Sequence, residues 1–549
     1  MSTASLIEQP SSAYAYPLLI KQLLHTPLAV SPEQEIVYRG KVRYDYWALR
    51  HRIGQLASCL QDLGVQAGDT VAVMDWDSHR YLECYFGIPM MGATLMTVNV
   101  RLSPEQIAYT LNHSGASVLL INAEFVPVLD AIRCDLLHID RFVLIDDGGS
   151  VDVPPYLVGE YEAQLADASP EFNFVDFDEN TRATTFYTTG TTGAPKGVYF
   201  SHRQIVLHTL AVMAALASSP KQGRIDRDDV YMPITPMFHV HAWGMPYVAT
   251  VLGLKQVYPG RYLPETLLDL IQREKVSFSH CVPTIMQMLL THPAGKDVDL
   301  SRWKVIIGGS ALPTGLAQLA LDRGIDIFAG YGMSETCPIL TLAQVKTTML
   351  DEASQALSVR TTAGLPIPLV DLRIVDDQLH DVARDGKTPG EIVARAPWLT
   401  QGYLDNPEAS DTLWEGGYLH TNDIGLVDSD GYLQVTDRIK DVIKTGGEWV
   451  SSLEVESLIS RHPAVSEVAV IGIKDEKWGE RPLAIVVLKS GETADKSALQ
   501  AHLSEFVGRG QISKYAIPQS ILFVESIEKT SVGKLDKKAL RSRYASMRP

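Results

Sequence analysis

From about Tyr44 to Val370 the chain alternates two kinds of hydrophobic pattern. Short, nearly continuous apolar runs, "DTVAVMD", "ASVLLIN" and "KVIIGGS", are each followed by a stretch with helical spacing: "HRYLECYFGIPMMGA", "FVPVLDAIRC" and "TGLAQLALDRG". Strands interleaved with helices of this length predict parallel sheets covered by helices on both faces. After Gly364 the period shortens to small strands and frequent turns, "LRIVDDQ", "GEIVARA" and "GLVDSDGYLQV", and Asp430-Gly431 between alternating apolar positions signals a hairpin. In "TDRIKDVIKTGGEWVSSLEVESLISRH" charge and two glycines interrupt the core pattern, which marks a linker. The last hundred residues hold helices "SSLEVESLISRH" and "DKSALQAHLSEFV" and strands "EVAVIGIK", "LAIVVLK" and "ILFVES", enough for an α+β domain with its own core.

Length agrees with this division, because 549 residues exceed the roughly 250–300 at which a single core stops growing. Hydrophobic content of 46% with 21% charged residues is that of a globular chain. A net charge of −17 argues against a nucleic-acid surface, which needs a basic patch. An acidic chain that binds an anion must instead concentrate positive charge locally. Cys59, Cys84, Cys134, Cys281 and Cys337 are scattered and form no C-x-x-C pair, so small core residues are expected rather than a disulfide framework or zinc site. No run reaches the roughly 18 apolar residues of a membrane span, the N-terminus lacks a basic leader, and "SMRP" is not a peroxisomal address. A cytoplasmic protein is the expectation.

The stretch Tyr187 to Val198, "YTTGTTGAPKGV", packs four threonines, three glycines and a lysine between two apolar runs. Glycines allow close main-chain approach, and hydroxyls and N–H groups supply donors, which suits a polyphosphate. It is not the phosphoryl-transfer P-loop: Lys196 is followed by Gly197 rather than Ser or Thr, and "GVYF" resumes a strand where that motif needs a helix. The next helix starts at "SHRQIVLHTLAVMAAL", with Ser201 and Gln204 spaced as a capping box. Composition alone also fits a flexible surface loop with a solvated lysine.

Further on, "PMFHVHAWG" (Pro236 to Gly244) gathers His239, His241 and Trp243, which suits either core packing or a site. "GGSALP" and "AGYGMSETCP" follow the strands "KVII" and "DIF", and glycines at the carboxyl ends of parallel strands are where α/β sheets place ligands. They can equally be strand-to-helix turns. Tyr331 offers a flat face for a base, Ser334 and Thr336 offer hydroxyls, and Glu335 is a hard oxygen ligand suited to Mg²⁺. Near the C-terminus Lys534 follows Gly533 in a small-residue turn.

Taken in order, "YTTGTTGAPKGV", "GYGMSET", "HTNDIG", "DRIKDVIKTGGEW" and "SVGK" resemble the adenylate-forming superfamily: acyl-CoA synthetases, firefly luciferase and the adenylation domains of nonribosomal peptide synthetases. Within it, "PMFHVHAWGMPY", "GLPIPLVDLRIVD" and "KTGGEWVSSLEVE" look most like bacterial medium- and long-chain fatty acyl-CoA synthetases. The resemblance implies a large N-terminal α/β domain over residues 1–437 with a small β-rich subdomain, a hinge at 438–442 and a mobile α+β domain over 443–549. It further implies a homodimer and an ATP- and Mg²⁺-dependent reaction. A fatty acid becomes an acyl-adenylate, and the acyl group then passes to coenzyme A.

On that resemblance, Thr188, Thr189, Gly190, Thr191, Thr192, Gly193 and Lys196 surround the β- and γ-phosphates, and Glu335 holds Mg²⁺ with Thr188 beside it. Ser334 contacts phosphate, Tyr331 between Gly330 and Gly332 stacks on adenine, and Gly309 and Ser310 border it. Asp423 accepts the ribose hydroxyls with Arg438 alongside, and Lys444 and Trp449 lie near the nucleotide in one conformation. Lys534 bridges carboxylate and α-phosphate, while Lys440 is the hinge residue. His239, Val240, Trp243 and Gly308 line the acyl site, with Trp243 as its gate, and Gly446 and Gly447 let pantetheine pass. Asp437 stands where Gly is commoner. Rival readings keep the machinery but take a short, branched, methylthio or aromatic acid, or pass the acyl group to a carrier protein.

Overall fold

A computed structural model describes residues 7–148, 154–188, 194–438, 440–445, 448–475, 477–509, 511–529 and 535–544. The apolar runs form two large sheets. In the first, seven strands run in the spatial order Leu157–Glu160, Arg141–Ile145, Ala116–Asn122, Thr70–Met74, Thr94–Thr97, Arg182–Tyr187 and Gly197–Ser201, all neighbours parallel except the last pair. In the second, six parallel strands from Asp326–Gly332 to Glu35–Tyr38 form the middle of nine, with antiparallel strands at both edges. The strand Thr70–Met74 is buried throughout, as a strand covered on both faces must be.

Several of the helices that cover them begin on side-chain caps that the sequence spells out. Asp45 accepts from the Ala48 N–H at 2.8 Å, and Ser78 from the Tyr81 N–H at 3.1 Å. Ser201 and Gln204 form the expected capping box ahead of the helix His202–Ser218. Trp303, Trp398 and Tyr46 are fully buried in the core that these helices close.

Residues 371–438 make the small β-rich unit, a four-stranded antiparallel sheet. Its last hairpin turns at Asp430-Gly431, where Gly431 has φ +93° and donates to the Asp428 carbonyl at 3.0 Å. A separate five-stranded sheet holds Glu448–Val450, Ile443–Thr445, Gly479–Leu488, Val465–Asp475 and Ser520–Phe523. It packs with the helices Ser452–Ser460 and Lys496–Gly508 around its own core of Val455, Leu458, Val470, Val486, Leu499 and Leu503.

Three local expectations are corrected. The linker passage is largely ordered structure: one strand runs to Arg438, another starts at Ile443, and the helix Ser452–Ser460 begins against Asp437, whose Oδ2 accepts the Ser452 N–H at 2.7 Å. Its charges mislead because their partners lie in other segments: Arg438 pairs with Asp423, Asp441 with Arg541 and Glu456 with Lys537. The segment after "DIF" is not a strand-to-helix turn, since the strand continues to Gly332 and then turns back into the antiparallel strand Ile339–Leu342. Cys134 is exposed, whereas the other four cysteines are buried. Among the described residues, no helix is long and apolar enough to cross a membrane.

Candidate active site

The carboxyl ends of the central strands of the second sheet open into a cleft with about 800 Å³ of atom-free space, part of it open to solvent. Such ends are where open α/β sheets leave a crevice. His239, Val240, Trp243, Gly308, Gly309, Gly330, Tyr331, Gly332 and Ser334 all line it, so nine of the predicted positions converge from three separate segments. Ser310 is exposed at the next position along the rim.

The wall that carries His239, Val240 and Trp243 has an unusual backbone. Val240, His241, Ala242, Trp243 and Gly244 have φ of 26°, 58°, 46°, 59° and 73°, a left-handed turn in which four residues carry a Cβ. Each such residue costs about 1–2 kcal/mol, so the surroundings must hold the turn. They do so from the first sheet and the helix beside it. The Met237 N–H donates to Asp77 Oδ1 at 2.8 Å, Tyr85 donates to the Met237 carbonyl, and Thr97 donates to the Phe238 carbonyl at 3.0 Å. His241 sits 2.7 Å from the Thr184 hydroxyl, with Phe186 and Phe200 against its ring, and burial pushes its pKa down to about 3. His241 is thus a neutral core residue and His239 is the histidine of the cleft.

The geometry explains two glycines. A Cβ at Gly308 would lie 2.8 Å from Trp243 Cη2 and 3.2 Å from the Gly330 carbonyl, so only glycine lets the indole rest on the strand end. A Cβ at Gly332 would lie 1.7 Å from the Pro338 carbonyl, which the reversal into the next strand brings close. Behind Trp243 the His280 ring stands at 5.0 Å, itself 2.8 Å from the Tyr231 hydroxyl.

At one rim Tyr331 donates from its hydroxyl to Asp423 Oδ2 at 2.8 Å, and Arg438 Nε lies 3.3 Å from Asp423 Oδ1. Tyr331 and Arg438 thereby fix a nearly buried carboxylate at the edge of the cleft. At another, Glu335 is 7% exposed and accepts from the Tyr403 hydroxyl at 2.7 Å. Burial raises the Glu335 pKa, while Tyr403, Arg438 and Lys196 oppose the rise. Lys196 Nζ stands 4.5 Å over the Tyr403 ring, and the Thr188 N–H donates to the Lys196 carbonyl at 3.0 Å, closing the base of the Thr/Gly loop. Thr189, Gly190, Thr191, Thr192 and Gly193 at its tip lie outside the described residues, as do Gly446, Gly447 and Lys534. Lys440 is exposed just after Arg438, and Lys444 pairs with Trp449 across a hairpin of the C-terminal sheet.

Four residues of this arrangement escaped the sequence reading: Tyr403, Asp77, Tyr262 and Arg101. Tyr403 joins Lys196 to Glu335; its one local signal is the "QGY" turn ahead of an Asn-capped helix. Arg101 and Tyr262 line the cleft. Asp77 follows the apolar strand "TVAVM" at its carboxyl end, a position where a charged residue is itself a signal.

The sequence matches the AMP-binding enzyme family over residues 24–404 and the AMP-binding enzyme C-terminal domain over 454–534. The chain belongs to this family and is an ATP-dependent, AMP-forming acid–thiol ligase. It is 39% identical to a long-chain-fatty-acid–CoA ligase of Thermus thermophilus over 97% of both chains. It is 36% identical to a 3-methylmercaptopropionyl-CoA ligase of Ruegeria pomeroyi, over 96% of this chain and 97% of that one. The crystal structure of the anthranilate CoA ligase AuaEII with anthranoyl-AMP superposes with a TM-score of 0.85 at 25% identity, covering 96% of this chain and 98% of that one.

Proposed function

We propose that the acid activated is a medium- or long-chain fatty acid, carried through an acyl-adenylate to coenzyme A. The observation that supports this most is the apolar wall of the cleft, where Ile234, Val240, Trp243, Val282, Ile285 and Ile306 line the same space as Tyr331. An aliphatic chain gains roughly 0.8 kcal/mol for each methylene buried there. The fatty-acid ligase of Thermus thermophilus, alike over nearly its whole length, supports the same reading.

In the first half-reaction a carboxylate oxygen attacks the α-phosphorus of ATP and pyrophosphate leaves. In the second the CoA thiol, losing its proton, displaces AMP from the acyl carbonyl. Catalysis of the first is positioning plus stabilisation of developing charge. Tyr331, flanked by Gly330 and Gly332, offers its face to adenine, bordered by Gly309 and Ser310, while Asp423 takes the ribose hydroxyls. Lys196, the Thr188–Gly193 hydroxyls and N–H groups, and the Ser334 hydroxyl meet the phosphates. His239 places the carboxylate, and Lys534 bridges it to the α-phosphate.

Mg²⁺ binds through few protein ligands, with phosphates and water completing its shell. The buried Glu335 carboxylate, with Thr188 as its hydroxyl partner, fits such an ion; among the described residues there is no cluster of three or more metal-binding side chains. When bound, the ion neutralises phosphate charge. Residues 438–442, centred on Lys440, are the proposed hinge by which Lys534 withdraws and the Lys444–Trp449 hairpin, with Gly446 and Gly447, approaches for thioester formation. The proposed assembly is a cytoplasmic homodimer.

The test is pyrophosphate release from ATP across acids from propionate and methylthiopropionate through benzoate to palmitate, each with and without CoA. A maximum among medium or long aliphatic acids is expected. A maximum at methylthiopropionate would favour the second reading, which the 36% identity to the Ruegeria enzyme and the polar Arg101 and Tyr262 in the cleft support.

A further inference from the structure

Asp77 is 2% exposed and lies three residues past the strand Thr70–Met74 of the first sheet, yet both its carboxylate oxygens are committed to segments that wall the cleft of the second. Oδ1 accepts the Met237 N–H at 2.8 Å, three residues before the left-handed turn, and Oδ2 accepts the Tyr262 hydroxyl at 2.5 Å. Its own carbonyl accepts the Gly260 N–H at 2.8 Å, which fixes the backbone that leads to Tyr262. Tyr262 lines the cleft, as do His239, Val240 and Trp243 beyond Met237. One side chain therefore ties two walls of the cleft to each other and to the neighbouring sheet. The Arg101 guanidinium, also in the lining, opposes part of the rise in pKa that burial imposes on Asp77.

We propose that Asp77 is a positioning residue for the acid pocket: by holding the Met237 N–H and the Tyr262 O–H together it sets the distance between the His239–Trp243 turn and the opposite wall. This rests on the cleft being the acid site. Asp77 touches neither the nucleotide rim at Tyr331 and Asp423 nor Glu335, so its influence falls on the acid and not on ATP. A left-handed turn of residues with side chains has a lower-energy alternative, and loss of the Met237 anchor gives it room to relax.

The experiment measures pyrophosphate release for Asp77→Ala, Asp77→Asn and Tyr262→Phe, with acid and ATP varied separately. Asp77→Ala is expected to lower kcat/KM for the acid about ten- to a hundredfold, with KM for the acid rising, since a misplacement of about 1 Å can cost about a hundredfold. It should also flatten the preference among acids, leaving KM for ATP within about twofold. Asp77→Asn keeps an acceptor for the Met237 N–H and should recover most of the loss. Tyr262→Phe, which removes one partner only, should shift the acid preference by less. An unchanged acid KM and acid profile in folded Asp77→Ala would overturn the proposal, as would equal loss toward acid and ATP. If Asp77→Ala does not fold, Asp77→Asn and Tyr262→Phe decide by the same criteria. A wild-type protein without acid-dependent release sinks the acid-pocket reading and this proposal together, whereas acid-dependent release that the variants leave unaltered sinks only the proposal.

Discussion

Tyr403→Phe isolates one hydrogen bond at the centre of the proposed phosphate and metal site. Glu335 is 7% exposed, and the Tyr403 hydroxyl donates to it at 2.7 Å. Burial already drives the Glu335 pKa upward. Without the hydroxyl the carboxylate loses a side-chain donor and is left to its own backbone N–H and the longer-range charges of Arg438 and Lys196. A hydrogen bond to a charged group contributes about 1.5–3 kcal/mol. At 1.36 kcal/mol per decade this is about 10- to 150-fold in kcat/KM for ATP. The ring face under Lys196 survives in phenylalanine, so the lysine keeps its place 4.5 Å above it. Tyr403→Ala removes that contact too, and a cation–π interaction adds roughly 0.5–2 kcal/mol, a further few- to thirtyfold. The assay is acid-dependent pyrophosphate release at varied ATP and saturating magnesium, with the melting temperature of each variant measured alongside. Folded Tyr403→Phe protein with kcat/KM for ATP within about twofold of wild type would refute the reasoning, because Glu335 would then not need its donor.

Three other expectations stand beside it. Gly308→Val pushes into Trp243 and shortens the apolar path, so kcat/KM should fall about 10- to 200-fold for the longest accepted acids and little for the shortest; equal loss across the acid panel would count against the cleft assignment. His202, His208, His241 and His280 are each pushed down to about 3 by burial, so the folded chain keeps them neutral where the unfolded chain, titrating near 6.5, takes up protons. Their contribution is fully present above pH 7 and is lost as pH falls from 6.5 toward 3, by up to roughly 5 kcal/mol per unit. Asp77, pushed up to about 8 by burial, trims that slope by about 1.4 kcal/mol per unit between pH 4 and 8. Urea unfolding midpoints that stay level between pH 7 and pH 5 would contradict this. Lys534→Ala should lower adenylation about 10²- to 10³-fold while supplied acyl-AMP and CoA still give thioester; parallel loss in both half-reactions would show that Lys534 is not specific to the first.

The parts of the site that are short in sequence were readable there, because local chemistry declares itself. Glycines of "GYGMSET" and "GGSALP" mark close backbone approach, Glu335 and Asp423 sit among hydroxyls and turns, and Lys196 ends a Thr/Gly loop. The alternation of apolar runs and helical stretches likewise dictated layered α/β sheets, since a strand buried on both faces has no other way to cover itself. What the chain alone did not disclose depends on contacts between distant segments. Nothing in "VHAW" announces a left-handed turn, for none of its residues prefers one; it exists because Thr184, Tyr85, Thr97 and Asp77 hold it from elsewhere in the fold. The resemblance named His239 for the acyl site, but the physical reason came only with the fold: the turn buries His241 and leaves His239 at the wall. Tyr403 reaches Glu335 across 68 residues, and Asp77 reaches Met237 across 160. Periodicity and turn chemistry act over a few residues and so are written in the sequence, whereas the pairing of a buried donor with its acceptor is decided only when two sheets meet.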